Sequence, residues 1–189
     1  MKEDVSGVIN QIPAEKRIIL DYNIEGLDGD YSAVYQDFEG DIYAALKDVK
    51  GRMEKYQCAV LVLPEDSFYG NLVKEGFLKF CEEFQLAHQV VNKIEHDHFR
   101  RGNVYITLNR NDRDDVDIIK LVREHKYKLG KDIGLISYND LYVKEVLEGG
   151  ITVISTDFSK MGEEAANLIL EGKIAKIKNP SKLIIRPSL

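Results

Sequence analysis

Cys58-Ala59-Val60-Leu61-Val62-Leu63 is an unbroken apolar run, closed by Pro64. A strand that is apolar at every position needs cover on both faces, as a central strand of a parallel sheet does. Working outward, runs of strand length alternate with segments of helical period. On the amino-terminal side, residues 17–21 (RIILD) and 32–35 (SAVY) form short extended runs separated by a loop with Gly26 and Gly29. Asp37 is placed to cap a helix whose apolar positions Phe38, Ile42, Leu46, Val49 and Met53 recur every three or four residues. On the other side, Val73, Phe77, Phe80, Cys81 and Phe84 make a helical stripe, and residues 88–94, 103–108, 133–138 and 151–155 read as strands. Between them, Val116, Ile119 and Val122 predict a helix stopping near Gly130, while residues 95–102 are a surface connection. A last helix carries Phe158, Met161, Ala165, Leu168 and Ile169 on one face and ends at Gly172, and residues 183–186 form a final strand. Alternation of this kind predicts an α/β fold, a parallel sheet flanked by helices with right-handed crossovers.

Composition narrows the functional classes. The 189 residues are 44% apolar and 31% charged, with a formal net charge of −6. Neutralising nucleic-acid phosphates takes a concentrated basic surface, and the densest clusters here, Arg100-Arg101 and Lys173, Lys176, Lys178, are small. No apolar stretch approaches the ~20 residues of a membrane span, so no membrane partner is expected. Residues Met1-Lys2-Glu3-Asp4 have no apolar signal region, and Cys58 and Cys81 sit in apolar segments like buried thiols. The expected location is cytoplasmic.

In a parallel sheet, chemistry gathers at the carboxyl ends of the strands. Those ends carry Asp21, the Glu65-Asp66-Ser67 loop, residues 109–112 and Asn139-Asp140. Such carboxylate, amide and hydroxyl groups pair with a polyhydroxylated ligand, and they also cap helices and make turns for local reasons. Catalytic motifs are missing: there is no G-x-S-x-G, Walker loop or G-x-G-x-x-G, and neither cysteine has a cationic neighbour in sequence. His96-Asp97-His98 could offer a metal two imidazoles and a carboxylate but is more often a solvated loop, and the acidic run Asp112, Asp114, Asp115, Asp117 suits Mg²⁺ or equally a helix start; no metal or cofactor is expected.

A resemblance sharpens this reading. Gly130-Lys131-Asp132-Ile133-Gly134-Leu135-Ile136-Ser137-Tyr138-Asn139-Asp140 resembles the G-x-D-I-(S/G)-x-(I/V)-G-(F/Y)-D-D stretch of LacI/GalR-type effector-sensing domains, whose fold is periplasmic-binding-protein-like I. Ile151-Thr152-Val153-Ile154-Ser155 is similar to that family's L-T-T-V strand. Met161-Gly162 with Ala165-Ala166 is similar to its M-G-x-x-A-A helix, and Leu183 to Ser188 to its terminal L-(I/V)-x-R-x-S. Gly76-Phe77 resembles its G-F/W pair. The wording around residues 34–46 and 154–170 looks most like the sensors of GntR-type regulators.

The resemblance implies two lobes: residues 1–32 a remnant of the first, 33–155 a complete second, 156–180 a helix of the first, and 181–189 a strand returning to the second. It implies a chain truncated at its amino end, contacting DNA only through a domain not included in it. The small-molecule effector, sugar-like and held between lobes, would meet Asp21, Asn139, Asp140 and Asn111 (or Asn109 with a small insertion); Ser67 is a further candidate from its strand-end loop. The family's ligand arginine falls on Val73, and Lys74 beside it points about 100° away on a helix. Residues such as Ile18, Leu20, Phe158 and Leu168 need cover, so a homodimer is expected. The reading is of a sensing module of a transcription regulator rather than an enzyme; the alternative is a small doubly wound α/β enzyme acting on a sugar or phosphorylated metabolite.

Overall fold

The computed structural model describes residues 5–65, 67–108 and 113–189. In chain order these form a short helix α1 (Ser6–Ile9), strands β1 (Ile18–Asp21) and β2 (Ser32–Tyr35), helices α2 (Phe38–Asp48) and α3 (Lys50–Met53), and strand β3 (Cys58–Val62). Then come α4 (Gly70–Glu83), β4 (His88–Val91), β5 (Asn103–Thr107), α5 (Arg113–Glu124), β6 (Gly134–Tyr138) and α6 (Tyr142–Val146). The chain continues through β7 (Thr152–Thr156), α7 (Phe158–Glu171), β8 (Lys176–Lys178) and β9 (Ser181–Ile184). Contacts divide it into two units, Phe38–Ser155 with Lys182–Leu189, and the residues up to Asp37 with Thr156–Ser181.

The larger unit is a six-stranded sheet in the order β4-β3-β5-β6-β7-β9. Its first five strands are parallel, with registers such as Leu61 opposite Ile106 and Ile106 opposite Ile136. Hydrogen bonds link Asp157 to Pro180, Thr152 to Arg186 and Gly150 to Ser188, so the closing segment runs antiparallel to β7. Strand β3 explains its own composition: Val60 and Val62 join a cluster with Ile118, Ile119 and Val122 of α5, and Ala59 and Leu61, on the alternate face, are equally buried. Helix α4 packs on β3 and against α2. That helix pair is tight enough that a Cβ at Gly76 would collide with the Glu39 carbonyl, and with Ile42 Cγ2 at 2.6 Å. Phe77, Phe80 and Cys81 fill the buried stripe of α4.

The smaller unit is a three-stranded parallel sheet, β1-β2-β8. Val34 and Ile177 pack against Met161, Ala165 and Leu168 of α7. Asp157 caps α7 by accepting from the Lys160 amide at 2.9 Å, and Gly172 ends it at φ 60, a left-handed conformation natural to glycine.

Several expectations are corrected. Residues 32–35, expected to lie largely in the second lobe, pair with β1 and β8 and belong to the smaller unit, because their backbone partners lie on both sides there. The helix expected across 38–53 breaks at Val49, whose ψ of 11° leaves the helical range. Helix α5 stops at Glu124, well before Gly130, with Lys126 turning the chain at φ 56. Phe158 and Ile169 are exposed rather than on the buried face of α7. The 95–102 connection contributes Phe99 to the core, stacked on Tyr105.

Candidate functional site

In the smaller unit, β1 delivers Asp21 to its carboxyl end with φ 77, and the side chain is exposed. Gln36, just past β2, donates its amide to Asp21 Oδ1, and its own Oε1 accepts from the Thr156 hydroxyl. The relay orients a carboxylate that still has acceptor capacity left. Gln36 and Thr156 were not singled out from sequence, because only the parallel pairing of β1 with β2 places Gln36 beside Asp21.

In the larger unit, β3 leads into the loop of Glu65 and Ser67. Glu65 accepts from the Asn92 side chain at 2.6 Å, tying the ends of β3 and β4. Ser67 makes a turn, its amide bonded to the Pro64 carbonyl at 3.1 Å, and α4 begins three residues later. Tyr69, at that helix start, stacks on Phe38 with ring centroids 4.5 Å apart. Asn109 and Asn111, with Asp66 and Asp112, lie outside the described residues. Val73, at the family's arginine position, is fully buried in the core, while Lys74 is exposed.

The carboxyl end of β6 is the most elaborate place. Tyr138 is buried, and its hydroxyl has no hydrogen-bond partner among the described residues. Burial, with smaller contributions from Asp41 and Tyr69, pushes this phenol well above its ordinary pKa, so it is neutral. Asn139 follows at φ 58; its amide donates to the Ile154 carbonyl at 2.8 Å, yet its side-chain Oδ1 is buried with no partner among the described residues. Buried polar atoms are nearly always paired, so an orphaned acceptor at a strand end marks a place for a donor. Asp140 is used differently from the expectation. Arg186 grips both its oxygens at 2.7 and 2.8 Å, and this ion pair holds its pKa below the usual carboxylate value. Its carboxylate thus anchors the closing strand to the loop, and its amide bonds Ser155 Oγ at 3.0 Å.

Beneath this loop lies a buried polar network that sequence reasoning missed. Thr107 donates to Asp115 Oδ1 at 2.6 Å, Ser137 donates to Asp115 Oδ2 at 2.7 Å, and Lys144 Nζ lies 3.4 Å from the same oxygen. The signal available was spacing: Asp115 stands at the helical interval that puts it on the buried face of α5 with Ile118, Ile119 and Val122. The acidic run containing Asp115 is thereby partly structural, and among the described residues no group of three or more His, Cys, Asp and Glu is placed to hold a metal ion.

A sequence model of the periplasmic binding protein-like domain matches residues 54–189. The chain belongs to that family. A relative, the NTD biosynthesis operon regulator NtdR of Bacillus subtilis (strain 168), is 26% identical over 138 residues, 61% of this chain and 41% of that protein. The chain therefore spans less than half the length of that relative. Among solved structures of the same fold, a transcription regulator-like protein from Staphylococcus haemolyticus aligns with a TM-score of 0.78 at 14% identity, over 100% of this chain and 71% of the other. A LacI transcriptional regulator from a Rhodococcus species gives 0.75 at 19%, over 97% and 72%. A sugar-binding LacI-family regulator from Escherichia coli, complexed with phosphate, gives 0.74 at 14%, over 99% and 72%. At these identities the likeness is one of fold. It bears out the periplasmic-binding-protein-like α/β architecture, a parallel sheet flanked by helices. Two of these solved regulators carry a LacI-type label, which lends nothing to the narrower GntR-type likeness, and that part of the expectation is withdrawn. No helix among the described residues of this family member is long and apolar enough to cross a membrane.

Proposed function

We propose that this chain is the effector-sensing portion of a LacI-type transcription regulator, and that its effector is a small, hydroxyl-rich metabolite of the sugar class. The observation that carries the ligand class is the buried Oδ1 of Asn139 at the end of β6, which has no partner among the described residues. The Asp21 carboxylate and Asn139 Oδ1 accept, while asparagine NH2 and serine hydroxyl groups can also donate, a mixture suited to ligand hydroxyls, which do both. Ser67 and Asn111 complete the candidate set. The regulator status of the relatives supports a binding role without catalysis, in the cytoplasm. Binding would act by favouring one conformation of the sensor, which biases DNA contacts made by a domain outside these residues.

A homodimer is part of the same reading. Leu141, Tyr142, Val143 and Val146 leave an apolar face of and before α6 in water, Tyr142 being 92% exposed. We commit to a second copy of the chain as its cover, in keeping with the symmetry of most soluble assemblies.

The test of the effector is calorimetry and thermal melting with D-glucose, D-ribose, D-galactose and L-arabinose. Melting should rise with concentration of a bound sugar, and Asn139→Ala and Asp21→Ala should each remove the rise. A sugar that binds equally to both variants would overturn the assignment, as would the absence of any response across hexoses and pentoses.

A further inference from the structure

We propose that Lys144 is a positioning residue: its buried ammonium sets the loop that presents Asn139 and, through Asp115, locks that loop to the first turn of α5. What the loop is for rests on the effector-sensing reading; the positioning itself is a matter of this unit's own geometry.

Lysine is almost never fully buried, yet Lys144 is 1% exposed and Asp115 2%. Each charge costs several kcal/mol to bury, and an apolar pair of similar volume often folds as well or better. Stability is thus a poor reason for this pair, and the direction of its hydrogen bonds is a better one. An ammonium has three protons to donate. Lys144 Nζ reaches Ser137 Oγ at 2.7 Å, the Tyr138 carbonyl at 2.8 Å and the Asn139 carbonyl at 3.0 Å. Two of its contacts therefore go to consecutive peptide oxygens, and they flank a non-glycine residue held at φ 58.

From the other side, the Asn139 amide is fixed by Ile154, the Asp140 amide by Ser155, and the Asp140 carboxylate by Arg186. The backbone amides of Asn139 and Asp140 and the Asp140 carboxylate are thus all paired, whereas Asn139 Oδ1 and the Tyr138 hydroxyl have no partner among the described residues. The anchor extends further. Asp115 sits in the first turn of α5 and accepts from Thr107, the last residue of β5, and from Ser137 of β6. One buried network thereby joins the ends of β5 and β6 with the starts of α5 and α6. Thr107 and Asp115 also bracket, in sequence, the segment that contains Asn111.

The test uses the full, ligand-free chain. Replacing Lys144 alone strands the Asp115 carboxylate in the core, so the informative variant is Lys144→Met with Asp115→Asn, which removes both charges together. A positioning role predicts melting close to the parent but amide exchange at Asn139 and Asp140 faster by about tenfold or more, with β3 and β4 unchanged. Parent-like exchange at Asn139 and Asp140 in the folded double variant would overturn the proposal, leaving Lys144 as a mere counter-charge. A second measurement needs no variant. In the parent, the Lys144 ammonium should appear in ¹⁵N spectra as a slowly exchanging group with couplings across hydrogen bonds to the carbonyl carbons of Tyr138 and Asn139. Fast exchange without those couplings also overturns it. Neither readout involves a sugar, so failure of the sugar titrations alone overturns the effector reading and leaves the positioning role standing.

Discussion

The Asp140–Arg186 pair is two-pronged and mostly shielded, with side-chain exposures of 22% and 14%. Hydrogen bonding to Arg186 lowers the Asp140 pKa, so the folded form prefers the ionised carboxylate more than the unfolded chain does. The sign follows: this contribution is present above the unfolded carboxylate value, about 3.9, and is lost as pH falls through the lower folded value. Asp140→Asn should cost about 1–3 kcal/mol at neutral pH and flatten the acid limb of stability, read by urea unfolding at several pH values. A parent-like acid limb would show that the pair is energetically idle. Thiols offer a second check at this scale. Burial pushes the Cys81 thiol up to about 12, and burial raises Cys58 as well. In the native protein, Cys81 should react with an aromatic disulfide only as fast as the fold opens, more slowly than half-buried Cys58. Equal native rates would contradict this.

Among the elements, the α2–α4 contact is the most demanding. Gly76 lets the helices approach until the Glu39 carbonyl occupies the space a side chain would need. Gly76→Ala must push backbone apart, an overpacking cost of about 1–3 kcal/mol, against the small gain in helix propensity the same change brings on an open face. A lowered urea midpoint with unchanged slope checks it, with Gly162→Ala in α7, where nothing lies within 4 Å, as the control expected to be neutral or slightly stabilising. The element scale also shows where sequence patterns reach their limit. The stripe Val73, Phe77, Phe80, Cys81 was legible because one face of α4 meets one core. Strand β8 has no such signature: in Lys176-Ile177-Lys178 only Ile177 packs toward α7, and three residues are too few to establish a period.

For the whole molecule, the testable consequence is association. The exposed apolar face at α6 predicts a dimer in sedimentation, formed against the mutual repulsion of two copies of net charge −6 and weakened by Tyr142→Lys together with Val146→Lys, with little change in far-ultraviolet dichroism. A parent that sediments as 21.6 kDa at every concentration would reject the interface. Both substitutions fall on exposed positions, so the fold itself should tolerate them within about 0.5 kcal/mol.

By itself the sequence determined the fold class, through a central strand apolar on both faces and helices with a single stripe, and it pointed to the strand ends where Asp21 and Asn139 stand. These properties are local: periodicity and turn chemistry act between residues a few positions apart. Only the tertiary structure decided what the polar side chains do. Asp140 looked the same as a ligand until Arg186, 46 positions along, took both its oxygens. Asp115 looked like a helix-start charge until Lys144 and Ser137 closed around it. Whether an acidic or amide group binds a partner within the chain or waits for one outside depends on which donors the sheet brings within about 3 Å, and that distance is set by packing across strands, far beyond the reach of any sequence window.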